Sequence, residues 1–155
     1  MNAAPLLTGV ARALALSHLD AVMIGNAAAA LQGAPVTTLD FDFMFRATPA
    51  NMKKLKRFAS ELSAMILRPY YPASSLYRVI DDESGLQVDF MSTIHGVRSF
   101  EGLKSRAGSV DVARFSIQVA DLADIIKSKK AAGRPKDRAV LPILERTLRA
   151  KISGK

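Results

Sequence analysis

Residues 38–45, Thr38-Leu39-Asp40-Phe41-Asp42-Phe43-Met44-Phe45, constrain the fold more than any other stretch of the chain. Apolar and polar residues alternate, which is the pattern of a β-strand with Leu39, Phe41, Phe43 and Phe45 on one face and Thr38, Asp40, Asp42 and Met44 on the other. Carboxylates at i and i+2 of a strand point the same way, roughly 6–7 Å apart along it. Two like charges side by side on an otherwise apolar strand are unfavourable unless a cation neutralises them, and aligned carboxylate oxygens are the ligands that Mg²⁺ or Mn²⁺ prefers. The alternative is a pair of half-exposed strand carboxylates without metal. Their Phe neighbours offer such charges little compensation, so the metal reading is preferred.

A third carboxylate has a similar setting. Leu86-Gln87-Val88-Asp89-Phe90-Met91 reads as a strand with a single Asp at its centre, and on a neighbouring strand Asp89 would complete a triad. The competing reading is an Asp solvated on an edge strand. Three carboxylates suit metal-dependent phosphoryl transfer, in which the ions orient the attacking oxygen and neutralise the departing pyrophosphate. The phosphates also need donors. Gly25-Asn26 lies between the apolar run Ala21-Val22-Met23-Ile24 and the helix-forming Ala27-Ala28-Ala29-Ala30-Leu31, and such a turn offers unpaired backbone N–H groups unless it is a plain strand-to-helix connection.

The 155 residues contain no Cys, which excludes disulfides, thiolate zinc sites and thiol chemistry. Nearly half of them are hydrophobic, enough for a core and too many for a disordered chain. The net charge of +8 lies entirely in residues 127–155, where ten basic residues face only Asp137 and Glu145, while residues 1–126 are neutral. That excess suggests a polyanionic partner or a solvated helical end. The N-terminus lacks a basic leader and is interrupted by Arg12, His18 and Asp20, and no run of 18 apolar residues exists, so a cytoplasmic protein with no membrane partner is expected.

The remaining periodicities predict a helix over Pro5–Leu19, a helix from Thr48-Pro49 to about Met65, and strands near 66–71, 75–81 and 86–92, the last two joined by a turn at Asp81-Asp82-Glu83-Ser84-Gly85. A short helix near Ser99–Arg106, a strand or two within 110–118, a helix from Asp121 to about Ala132 and a last helical segment follow, in which Pro142 must kink the helix or sit in its first turn. The acidic run at 81–83 is expected to be a solvated hairpin tip, His18 and His95 have no partners at ligand spacing, and Tyr70-Tyr71 reads as core. The expected fold class is α/β (α+β), a mixed sheet flanked by helices, in a single domain over 1–155 with a basic helical segment at 121–155.

Taken together, Gly25-Asn26, Gly33, Thr38-Leu39-Asp40-Phe41-Asp42 and Val88-Asp89-Phe90 resemble the motif series of the nucleotidyltransferase superfamily, particularly its small minimal and AbiEii-like toxin members. Asp121-Leu122-Ala123-Asp124-Ile125-Ile126-Lys127 and Lys130-Ala131-Ala132-Gly133-Arg134-Pro135-Lys136-Asp137 are similar to the closing helices of that group. The resemblance implies a polymerase-beta-type palm fold. It implies metal ligation and catalysis by Asp40, Asp42 and Asp89, and nucleotide contacts from Gly25, Asn26, Lys127 and the Arg134-Pro135-Lys136-Asp137 turn. It further implies transfer of a nucleoside monophosphate from an NTP to an RNA or protein hydroxyl with Mg²⁺ or Mn²⁺, with an antitoxin or a homodimer as possible partner. Two positions depart from the pattern: Asn26 replaces a Gly or Ser, and Val36 stands where many relatives have Arg. They motivate an alternative, a nucleotidyltransferase-like binding module with weak or no catalysis. A basic nucleic-acid-binding domain is a further alternative, and it leaves the acidic strand unexplained. The separate helical substrate domain of larger relatives is expected to be absent or reduced to the final helices.

Overall fold

The computed structural model describes residues 4–38, 40–68 and 75–154. The placements expected for Leu39 and Tyr70-Tyr71 lie outside them. In chain order the elements are α1 (Ala4–Ser17), β1 (Ala21–Ile24), α2 (Gly25–Leu31), β2 (Asp40–Phe45), α3 (Pro49–Glu61), β3 (Met65–Leu67), β4 (Leu76–Asp81), β5 (Leu86–Met91), α4 (Phe100–Arg106), β6 (Gly108–Val112), β7 (Phe115–Val119), α5 (Leu122–Ala132) and α6 (Pro135–Ser153). The strands form one mixed seven-stranded sheet in the order β3-β4-β5-β2-β1-β7-β6. This is the α/β architecture expected from the sequence.

The alternation in β2 divides the sheet into two different faces. Phe41, Phe43 and Phe45 are buried, and the parallel pairing of β2 with β5 sets Phe43 opposite Phe90 and Phe41 opposite Val88. The Phe43 and Phe90 rings stack with centroids 5.2 Å apart, and Phe58 from α3 meets Phe90 edge-on at 5.1 Å. Full burial of one such side chain contributes about 1.5–3 kcal/mol, so this aromatic layer anchors the centre of the sheet to α3. The opposite face of the same strands carries Asp40, Asp42, Gln87, Asp89 and Arg78, and opens to a cleft.

Local signals account for most boundaries. Thr48 caps α3 by accepting from the Asn51 N–H at 3.1 Å, with Pro49 at the first helical position, and Ser99 caps α4 through the Gly102 N–H. The helix starting at Pro49 ends at Glu61, earlier than the expected Met65, because Ser63 takes a left-handed conformation (φ +52°) and frees Met65–Leu67 to pair with β4. Residues 108–119 form two strands, joined through Ala113 in the same unusual region (φ +57°). Pro142 sits in the interior of α6 and not in its first turn, which Pro135 occupies. Among the described residues no helix is long and apolar enough to cross a membrane.

Candidate active site

Three adjacent strands assemble the site in rows. Parallel pairing of β2 with β5 sets Asp42 opposite Asp89 and Asp40 opposite Gln87, and the β4–β5 hairpin sets Arg78 opposite Asp89. Asp42, Asp89 and Arg78 therefore form one row across the sheet, with Asp40 and Gln87 in the next. All five line a cleft of about 670 Å³.

Within this row the carboxylates differ in their company. Asp42 is half-buried, and among the described residues its carboxylate accepts no hydrogen bond. Burial, then Asp89 and Asp40, push its pKa up to about 6, against the pull of Lys129 and Lys136. Asp89 is the more buried of the two, and it accepts from Arg78 Nε (2.9 Å) and Nη2 (3.2 Å) and from Gln87 Nε2 (3.4 Å). The hydrogen bond to Asp89 in turn raises the pKa of Arg78. Asp40, at the start of β2, is exposed. Among the described residues no three His, Asp or Glu side chains stand close enough together to share one ion.

Gly25 fits against this face in a way that needs glycine. Its φ is +72°, and a Cβ there would lie 3.2 Å from Asp42 Oδ2. Asn26 follows in the first turn of α2, and its Oδ1 is buried without a hydrogen-bond partner. Both residues line the cleft. Asn26, Asp42 and exposed Asp40 thus line one cleft with oxygen atoms free of hydrogen-bond donors at Asn26 and Asp42 among the described residues, the kind of ligand a hard divalent cation takes.

The opposite wall is basic and comes from α5 and the start of α6. Lys129, Arg134 and Lys136 line the cleft. Burial lowers the pKa of Lys129, against the attraction of Asp137, whose Oδ1 is 3.6 Å from Nζ. Asp137 is almost completely inaccessible. Burial would raise its pKa, yet the hydrogen bonds and charge of Arg134 together with Lys129 hold it below the usual carboxylate value. Arg134 reaches it from Nε at 2.7 Å and from Nη2 at 3.3 Å. Asp137 thus aims two cations, and the Arg134–Asp137 turn stands beside the cleft.

Lys127 is placed differently from the sequence expectation. It is exposed and does not line the cleft; its backbone carbonyl packs where a Cβ on Gly96 would come within 2.9 Å. The cation of α5 that faces the cleft is Lys129. Helical phase contains that signal, since Lys129 is four residues after Ile125 and three after Ile126, both buried, whereas Lys127 is rotated about 100° from Ile126. Arg78 was missed as well. Its signal is the turn at 81–85, which pairs Asp81 with Leu86 and so, three residues back along each strand, Arg78 with Asp89.

No protein-family model matches the sequence, and no curated protein matches it. Solved structures do. A proposed nucleotidyltransferase from Thermotoga maritima is 21% identical with a TM-score of 0.63, covering 97% of this chain and 92% of its own. The antibiotic-resistance factor ANT(2'')-Ia is 11% identical with a TM-score of 0.59, over 97% of this chain and 93% of its own. An antigenic nucleotidyltransferase-like protein from Paracoccidioides brasiliensis is 12% identical with a TM-score of 0.58, over 94% and 74%. At these identities the likeness is one of fold, and the fold of this chain is nucleotidyltransferase-like.

Proposed function

We propose that the protein is a metal-dependent nucleotidyltransferase that moves a nucleoside monophosphate from a nucleoside triphosphate to a hydroxyl acceptor. The observation that carries this reading is Asp42, a half-buried carboxylate with no hydrogen-bond donor among the described residues, its pKa raised by burial and then by two neighbouring carboxylates, facing a cleft with a cationic far wall. A folded chain keeps such a group where a cation completes it. Asp40 and Asp42 would hold Mg²⁺ or Mn²⁺, with the Asn26 Oδ1 as a further oxygen and Asp89 beside them. When bound, the ion supplies charge neutralisation at the α-phosphate and at the developing pyrophosphate.

The side chains do the rest. Gly25 and Asn26 let the triphosphate approach the turn closely, and Lys129 and Lys136 offset its charge from the opposite wall. Asp89, held in place by Arg78, accepts the hydrogen bond of the acceptor hydroxyl and orients it. The acceptor oxygen then forms its bond to the α-phosphorus as its proton passes to Asp89 and on to solvent, the bond to the bridging oxygen breaks, and pyrophosphate departs. The acceptor is an RNA or a protein hydroxyl in this reading. The toxin–antitoxin role, with an antitoxin as partner, rests on the motif pattern alone.

The test is incubation with labelled ATP, CTP, GTP and UTP in the presence of Mg²⁺, total RNA and protein extract, followed by identification of the labelled species. Asp40→Ala combined with Asp42→Ala is expected to abolish labelling while the circular dichroism spectrum stays native. Full labelling by that variant would refute the proposal.

A further inference from the structure

The carboxylate face carries its own cation. Arg78 donates to both oxygens of Asp89, at 2.9 and 3.2 Å, and Gln87 adds a longer donation to one of them at 3.4 Å. A forked, two-point contact of this kind is among the strongest that a carboxylate makes with a side chain, and the rigid guanidinium plane fixes both oxygens at once. The contact is set by strand register, since Arg78 and Asp89 are direct cross-strand partners, and Asp89 lies in turn directly opposite Asp42. Asp42, by contrast, has no donor among the described residues.

A pair of catalytic ions sits about 3.5–4 Å apart, so a second ion needs carboxylate oxygens next to those of the first. In this sheet the next oxygens along the row belong to Asp89, and Arg78 already occupies them. A divalent ion arriving there would have to displace a bidentate guanidinium and would meet its positive charge. We infer that Arg78 is a fixed internal counter-cation, so that the site takes a single divalent ion at Asp40 and Asp42 and the guanidinium holds the ground on which a second ion would bind. This rests on the metal-binding reading of Asp40 and Asp42 proposed above. It assigns Arg78 a positioning role: it restrains Asp89 and sets how many ions the site accepts. Without Arg78, Asp89 becomes a buried, uncompensated carboxylate beside Asp42, which is a cation trap.

The experiment counts Mn²⁺ bound to the whole chain, with the metal alone as probe, from the free-ion signal in electron paramagnetic resonance. The native protein is expected to saturate with a single ion. Arg78→Gln, and Arg78→Met as a companion that keeps the apolar stem, are expected to take up a second ion and to show the broadened signal of two neighbouring Mn²⁺. Adding Asp89→Asn to Arg78→Gln should return the count to a single ion. Two ions in the native protein, or a folded Arg78 variant that still binds only one, would overturn the inference. No ion in the native protein would instead overturn the metal reading beneath it, so the two failures are distinguishable. If circular dichroism shows that both Arg78 variants lose the fold, the native count decides.

Discussion

Asp42 and Asp137 are the same residue in opposite circumstances. Asp137, at the junction of α5 and α6, is inaccessible and saturated with cationic partners, Arg134 through two side-chain bonds and Lys129 at 3.6 Å, and its pKa falls. Asp42, on β2, is half-buried, with no donor among the described residues and two acidic neighbours, and burial together with those neighbours raises its pKa to about 6. What separates the two carboxylates is whether the charge is compensated within the fold. Asp137 is completed by the chain, and Asp42 is left to be completed by something else.

Removing each group should separate the two roles. The largest expected effect is on activity: Asp42→Asn should lower nucleotidyl transfer by at least about 10³-fold, as loss of charge at a metal-dependent site does, while Asp137→Asn should retain most turnover in whatever fraction remains folded. Stability should move the other way. Asp137→Ala leaves Arg134 and Lys129 facing each other without their buried counter-charge and is expected to cost about 3–5 kcal/mol in urea denaturation at pH 7. Asp42→Asn relieves a destabilising charge and should stabilise the metal-free protein.

The pH dependence of stability should also have opposite signs at the two sites. A carboxyl whose pKa rises on folding opposes the folded state when charged. The penalty at Asp42 is complete above about pH 6 and fades as pH falls toward the unfolded value of 3.8, at most about 3 kcal/mol in all. Asp137, whose pKa falls on folding, contributes stability that is present above 3.8 and is lost as pH drops through its lower folded value. Metal-free protein should gain stability from pH 7 to about 4.5 and lose it below, and Asp42→Asn should flatten the first limb only. Urea midpoints across that range measure both. A gain that survives in Asp42→Asn would place its origin elsewhere.

The smallest effect distinguishes two lysines of one helix. Lys129→Met should raise the KM for nucleotide about tenfold, because it removes a cleft cation. Lys127→Ala should leave KM unchanged and move stability by no more than about 0.5 kcal/mol, as is usual for an exposed side chain.

Much of this geometry was legible in the sequence where periodicity and chemistry coincide. The alternation of Asp40–Phe45 specified the strand, its aromatic underside and the shared direction of Asp40 and Asp42, because a period of two admits no other arrangement. The turn at 81–85 carried the register that pairs Arg78 with Asp89, although Arg78 is unremarkable until its partner is known. Motif likeness points to Lys127, while helical phase, set by buried Ile125 and Ile126, points to Lys129. Two features carried no readable signal. Ser63 follows α3 in a left-handed conformation that no glycine announces, and the approach of Lys129 to Asp137 depends on how α5 packs against α6, whereas the Arg134–Asp137 pair is local, three residues apart at the start of α6. Such packing is a tertiary outcome with no local cause.

Calorimetric titration with non-hydrolysable triphosphate analogues of the four nucleosides, in Mg²⁺ and again in EDTA, tests the central claim most directly. At least one analogue is expected to bind in Mg²⁺, to bind at least about tenfold more weakly in EDTA, and to lose its Mg²⁺ dependence when Asp40 and Asp42 are both changed to Ala. Equal binding with and without Mg²⁺, or no binding of any analogue in Mg²⁺, would contradict the account of Asp40 and Asp42 as the place where a cation meets the nucleotide.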